Sequence, residues 1–230
     1  ALTFTNLKPP GSNLTDFFAV ALSHNVAHDH ATLRTNMQFR SAEPIDLPDV
    51  AELATVAAGG MFEYCLGGAS FGQTSEGVAL LISTLEDGFS LSNTTVCCDG
   101  DGTVAGVLLS YPSDEFSSAE TFSSFIQPDL LAPISGIMSL PEEPSYYVHS
   151  LAVKPEFVRR GIASNFLKLA EDAARGLDLP RVRLHVWADN AAAVAMYNRH
   201  GYITEQVIAV ETDGKLDHQG GMLLVAKDVT

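Results

Sequence analysis

The order of elements in the 230-residue chain, β-α-α-β-β-β-α-β-α-β-β, predicts an α/β fold of the α+β kind: a mixed sheet with helices on its faces. Three observations predict it. Short alternating runs of period two interleave with apolar stripes of period 3.6. Turn residues mark two hairpins. One amphipathic helix, Gly161 to Leu177, lies between two apolar strands. Hydrophobic residues make up 46% and charged residues 18%, a globular profile with ample material for a core. No apolar run approaches the roughly 18–20 residues that span a bilayer. No basic segment leads into an apolar one near residue 1, so no secretory signal is expected and the expected location is cytoplasmic.

Residues 1–36 read as an N-terminal extension and 37–230 as the folded domain. Pro9-Pro10-Gly11 breaks any early element, and Leu14 to Val26 has the pattern of a short helix. His24, His28 and His30 sit close together, but a solvated extension is expected there rather than a metal site. Met37 to Glu43 alternates as a first strand. Leu47-Pro48-Asp49 opens a helix, with Val50, Leu53, Ala54 and Ala57 on one face, until Gly59-Gly60 interrupts it. Ser75 precedes a second helix, Glu76 to Leu85. Thr94 to Cys98, the turn Asp99-Gly100-Asp101-Gly102, and Thr103 to Tyr111 form a hairpin. Residues 113–140 are aperiodic and suggest a lid or an insertion. Tyr146 to Val153 is a strand, Arg181 to Trp187 another, and Asn190 to His200 a short helix stopped by Gly201. Ile203 to Val210 and Met222 to Lys227 form a last hairpin across Asp213-Gly214.

Cys65, Cys97 and Cys98 are too few, and odd in number, for a disulfide framework; all three are expected to be buried, reduced thiols. Cys97 and Cys98 are neighbours in a strand, so their side chains should point to opposite faces. The net charge of −15 makes nucleic acid and anionic membrane surfaces poor partners. Its distribution is one-sided. No Lys or Arg occurs from Ser41 to Val153; then Lys154, Arg159, Arg160, Lys168, Arg175, Arg181 and Arg183 follow closely. A positive segment in an acidic chain suits a polyanion.

The segment from Leu151 to Ser164 carries the strongest chemical signal. An apolar strand ends, a turn bears Arg159 and Arg160, and Gly161, Ile162, Ala163 and Ser164 open a helix. A helix N-terminus offers unpaired N–H groups and the positive end of the dipole, which together suit a phosphate. Gly161 and Ala163 leave room for a phosphate to approach the backbone.

This segment resembles the pyrophosphate loop of the GNAT superfamily, Gln/Arg-x-x-Gly-x-Gly/Ala, with Val158 departing at the first position. Leu151, Ala152 and Val153 are similar to the family's lead-in strand. A second family pattern, Asn-x-x-Ala-x-x-x-Tyr-x-x-x-Gly-Phe/Tyr, appears in full as Asn190, Ala193, Tyr197, Gly201 and Tyr202. The resemblance covers about 190 residues, densely from 145 to 210. It implies the GNAT fold, a central mixed and mostly antiparallel sheet with helices on both faces. It also implies acetyl-CoA as cofactor and transfer of its acetyl group to a primary amine by direct attack in a ternary complex. Leu151, Ala152, Val153, Arg159, Arg160, Gly161, Ile162, Ala163, Ser164, Asn190 and Tyr197 are the cofactor-binding residues it implies. A catalytically silent CoA-binding or sensor domain is the alternative, against which an intact Tyr197 argues.

Amide formation needs a base for the ammonium and an acid for the departing thiolate. Tyr197 matches the family residue beside the sulfur. For the base, Tyr147, His149 and Leu151 should share a strand face by period two. His149 is the candidate by its ordinary pKa, with water leading to Glu142 or Glu143 as the other option. No P-loop, dinucleotide fingerprint or zinc motif competes, and no metal is expected. The expected partners are acetyl-CoA and an amine acceptor, cationic by the charge argument, such as a polyamine, a lysine side chain or an amino sugar. A homodimer is compatible with the sequence.

Overall fold

The computed structural model describes residues 37–85, 88–115, 126–212 and 214–229. Seven strands form one sheet in the order β1-β2-β3-β4-β5-β7-β6. They are β1 Gln38–Ser41, β2 Thr94–Cys98, β3 Val104–Pro112, β4 Tyr146–Val153, β5 Arg181–Trp187, β6 Ile203–Ile208 and β7 Met222–Asp228. Among the described residues β4 and β5 pair in parallel and every other neighbour pairs antiparallel. The helices are α1 Leu47–Ala58, α2 Met61–Cys65, α3 Phe71–Thr84, α4 Pro128–Leu131, α5 Ile162–Gly176 and α6 Ala191–Arg199. Residues 1–36, with the expected short helix and His24, His28 and His30, lie outside the described residues.

Helices cover both faces of the sheet. On one face α5 packs Ile162, Phe166, Leu169, Ala170 and Ala173 against Val148, Val182, Leu184 and Val225. On the other, Val50, Leu53 and Ala54 of α1 and Val78 and Ile82 of α3 pack against Val96, Val107, Leu109 and Tyr147. Cys97 belongs to the first cluster and Cys98 to the second, as strand alternation requires. Burial pushes the Cys97 and Cys65 thiols up to about 12, so both stay protonated. Cys65 is only partly buried, because it lies on a cavity wall rather than in the core.

Several elements differ from the sequence expectation for local reasons. α3 begins at Phe71 rather than Glu76, because Gln73 reaches back to the Ser70 N–H at 3.2 Å and caps an earlier turn. Gly59 and Gly60, with φ of 58° and 85°, do more than end α1: they turn the chain directly into α2. A side chain at Gly59 would also meet the Trp187 indole at 2.8 Å. The described part of residues 113–140 is packed, with Ile126, Leu130, Ile134 and Ile137 buried beside Trp187 and Leu224. β6 and β7 do pair, but the described residues between them, 209–212 and 214–221, belong to neither strand, and β7 lies between β5 and β6. His218 fastens this segment. Its ring stacks on Trp187 at 4.0 Å and spans Gly59 O at 2.7 Å and the Asp189 carboxylate at 2.9 Å.

Most of the basic segment is structural. Arg183, 2% exposed, donates to Glu205 at 2.8 Å and to Glu143 at 2.9 Å, and Arg181 joins the same carboxylates. Lys154 pairs with Asp49 at 2.7 Å, Lys168 with Asp172 at 2.7 Å, and Arg175 with Asp172 at 3.0 Å. Arg159 and Arg160 stand exposed on the loop before α5.

Candidate active site

β4 and β5 share three paired positions: Tyr146 with Val182, Tyr147 with Arg183, and Val148 with Leu184. β4 continues to Val153 and β5 to Trp187, so beyond those pairs the strands part. The cause is local. β3 pairs Ser110 with Val148 and then Leu109 with Ser150, which leaves His149 without a cross-strand partner. Such a bulge bends its strand and raises the local twist, here turning the end of β4 away from β5. It also corrects the expectation that Tyr147, His149 and Leu151 share a face. Tyr147 and His149 face α1 and α3, whereas the extra residue sends Leu151 and Val153 to the α5 side.

At the fork the strands bring three titratable groups together. The Tyr147 hydroxyl lies 2.8 Å from His185 Nδ1, and the rings of Tyr147 and His149 are 6.0 Å apart. His149 Nδ1 is 3.0 Å from Ser150 Oγ, and its ring sits 4.6 Å from Phe89 and near-parallel to Phe62 at 6.4 Å. Burial, together with the neighbouring His185, lowers the His149 pKa from 6.5 to about 4. Burial alone lowers His185 to about 4. Both rings are therefore neutral at pH 7. Nε2 of His185 is buried with no hydrogen-bond partner among the described residues, an expensive arrangement for a polar atom unless a ligand completes it.

These groups form the floor of a cavity of about 140 Å³. Ala57 and Ala58 of α1, Met61 and Phe62 of α2 and Val78 and Leu81 of α3 build one side of its wall. Ile126, Ile134, Ile137 and Met138, from the segment read as a lid, build the other, with Met222 of β7. The wall is apolar and holds no Asp or Glu among the described residues.

The phosphate-type loop follows directly from β4. Arg159 and Gly161 are both left-handed, with φ of 61° and 81°, a backbone in which neighbouring N–H groups converge on one point. Within α5 the first backbone N–H to find an acceptor at the helix start is that of Asn165, on Gly161 O at 3.0 Å. The earlier ones face outward by helix geometry. Open space lies in front of Gly161, where an added Cβ would meet nothing within 4 Å. Chain, charge and space thus fit a pyrophosphate. Ser164 in the first turn of α5 contacts His200 Nε2 at 3.0 Å, which latches the end of α6 beside the loop.

α6 packs into the same core cluster as α5. Asn190 caps it by accepting the Ala193 N–H at 3.1 Å. Tyr197 is buried and packs edge-on against Tyr202 at 5.9 Å. Burial pushes its phenol up to about 12. Burial, and to a lesser degree the charge Tyr197 would carry, raises the Tyr147 pKa. Glu142 and Glu143 do not line the cavity; Glu143 is held by Arg181 and Arg183.

The model of the Acetyltransferase (GNAT) family matches residues 72–202, more than half of the chain. The chain belongs to the GNAT acetyltransferase family. No curated protein sequence matches it. Among solved structures it is similar to an N-acetyltransferase from Staphylococcus aureus Mu50, with a TM-score of 0.61 and 18% identity over 81% of this chain and 99% of that one. Arylalkylamine N-acetyltransferase 2 from Aedes aegypti gives 0.60 and 16% over 85% and 100%. Spermidine N-acetyltransferase from Vibrio cholerae, solved with CoA and spermine, gives 0.51 and 17% over 84% and 95%. At these identities the likeness is one of fold, and the mixed, mostly antiparallel sheet with helices on both faces is the fold of this GNAT chain.

Of the residues singled out from the sequence, His149 lines the cavity, Leu151 to Val153 continue β4 beyond the fork, and Tyr197 is buried in the core on the α5 side of the sheet. His185 was missed. Its signal was present: Val182, Leu184 and Val186 alternate with Arg183, His185 and Trp187, a polar face on a strand central to the sheet.

Proposed function

We propose that this GNAT protein is an acetyl-CoA-dependent N-acetyltransferase that passes the acetyl group to a primary amine by direct attack in a ternary complex. What supports this most is one coincidence. β4 parts from β5 at His149, which lines a cavity with His185, and the loop at Arg159–Gly161 follows the same strand six residues beyond its end.

Arg159, Arg160 and the N–H groups of Gly161 to Ser164 would hold the pyrophosphate. The unpaired edge of Leu151, Ala152 and Val153 would hold the amide-bearing arm, with Asn190 and Tyr197 on the α6 side. Acetyl-CoA supplies an activated thioester carbonyl. Tyr197, protonated throughout the working range, donates a hydrogen bond to the departing sulfur. An ammonium entering the cavity loses solvation, which lowers its pKa and favours the free amine. His149 and His185 are neutral and can take the proton, His185 through the nitrogen that lacks a partner, with Nδ1 joined to Tyr147. His149, the base expected from sequence, thus gains a second candidate on the facing strand.

The same proposal makes residues 37–230 the catalytic domain, residues 1–36 an extension, and the cytoplasm its location. The acidic stretch before β4 favours approach of a cationic acceptor by long-range attraction. Calorimetric titration with acetyl-CoA tests the cofactor half: saturable binding is expected, and ligand at about 100 times its dissociation constant should add about 2.7 kcal/mol of stability. No binding at millimolar acetyl-CoA would remove the basis of the proposal.

A further inference from the structure

We infer that the acceptor is a monoamine carried on an apolar body about the size of a six-membered ring or a short alkyl chain. The inference rests on the acetyl-transfer function proposed above and concerns the cavity of that same site.

The cavity has two unlike ends. Its floor, from β4 and β5, is polar: Tyr147, His149, Ser150 and His185. Its walls, from the helices and from residues 126–138, are hydrocarbon: Phe62, Val78, Leu81, Ile134 and Ile137 among them. Amphipathic order of this kind orients a ligand with one polar end. The amine belongs at the floor, where the strands part and the imidazoles can accept its proton. The rest of the molecule then lies among side chains that, among the described residues, include no carboxylate and are hydrocarbon or thioether apart from the Cys65 thiol. Volume sets the scale: apolar cavities of about 150 Å³ hold one benzene ring, and this one is about 140 Å³.

The same walls argue against a polyamine or an amino sugar. Either would bury a second ammonium or several hydroxyls among hydrocarbon with no partner. Carboxylates do exist nearby, but Glu63 and Asp217 line a separate cleft of about 500 Å³ on another side of α2. That cleft lacks Tyr147, His149 and His185. The acidic charge of the chain therefore bears on how an ammonium approaches, and the cavity bears on what the ammonium is attached to.

The test has two readouts. First, equilibrium binding of n-alkylamines from propyl to octyl, of phenethylamine and of spermidine is measured by thermal shift on the protein without cofactor. Second, kcat/KM is measured for the same amines with acetyl-CoA. Affinity and kcat/KM are expected to rise about fourfold per methylene until the cavity is full, then to level or fall. Spermidine should be at least about a hundredfold poorer than the best alkylamine. Ala57→Phe, which fills the cavity from α1, should move the optimum to a shorter chain. Phe62→Ala should move it to a longer one. Acetyl-CoA titration of each variant checks that the fold and the cofactor site persist. Spermidine equal to or better than hexylamine, or an alkyl series without chain-length dependence, would overturn the inference while leaving acetyl transfer intact. Chain-length-dependent binding without any acetylation would show the cavity to take an apolar monoamine as a ligand but would overturn its assignment as the acceptor, together with the proposed reaction.

Discussion

Lowering the pH from 7 to 5 should destabilise the fold through two side chains in particular. His149 and His185 have pKa values lowered from 6.5 to about 4, whereas the unfolded chain restores the ordinary value. Between those limits the unfolded state binds more protons than the folded one, so stability rises with pH, is complete above about 6.5 and is lost as pH falls towards 4. From pH 7 to pH 5 the loss is about 2 kcal/mol for each ring. The perturbation that isolates them is His149→Asn and His185→Asn, singly and together. Urea denaturation at pH 7, 6 and 5 gives the stability of each. Each single variant should remove about half of the extra slope and the double variant all of it, with other carboxylates and histidines cancelling in the difference. Identical pH slopes in wild type and double variant would show that the rings are not buried neutral.

Tyr197→Phe keeps the ring and removes the hydroxyl; kcat should fall about ten- to a thousandfold with little change in acetyl-CoA affinity measured by calorimetry. In the pH profile of kcat/KM, no inflection is expected near 6.5, because both imidazoles are already neutral there; the rate should climb with the free-amine fraction across about pH 5 to 8. Glu205→Ala leaves the buried Arg183 with Glu143 as its remaining carboxylate and should cost about 3 kcal/mol in chemical denaturation. Gly161→Asp sets a carboxylate in the open space before α5 and should abolish acetyl-CoA binding in a calorimetric titration while the cooperative unfolding transition persists.

How much of this was legible in the sequence depends on how local the cause is. The start of α5 after Gly161 and the span of α6 from its Asn190 cap to the stop before Gly201 lie where the sequence places them, because their causes lie in a few consecutive residues. Tyr146–Val153 and Arg181–Trp187 have the expected ends because Pro155, Pro180 and the turn at Ala188–Asp189 bound them. What period two cannot foresee is a bulge. One extra residue at His149 reverses the faces of the second half of β4, parts it from β5, and moves Leu151 away from Tyr147 and His149. The alternation of β5 marks His185 as a polar position on a buried strand, but its partner, Tyr147, is 38 residues away and is brought to it only by the sheet. The cavity wall at Ile126, Ile134 and Ile137 was hidden because 3₁₀ turns carry no clear apolar period. The clustered basic residues also misled in part. Arg181 and Arg183 answer to Glu143 and Glu205, a requirement of burial within the sheet rather than of a polyanion.

The central claim is that the fork between β4 and β5 joins acetyl-CoA to an amine. The most direct test follows both products of one reaction, free thiol by a colorimetric reagent and acetylated amine by mass spectrometry, with hexylamine or phenethylamine as acceptor. One acetylated amine should appear for each thiol released, and both signals should vanish in Gly161→Asp. Saturable acetyl-CoA binding with no acetylated product from any amine of the series would contradict the account and leave a CoA-binding domain without transferase activity.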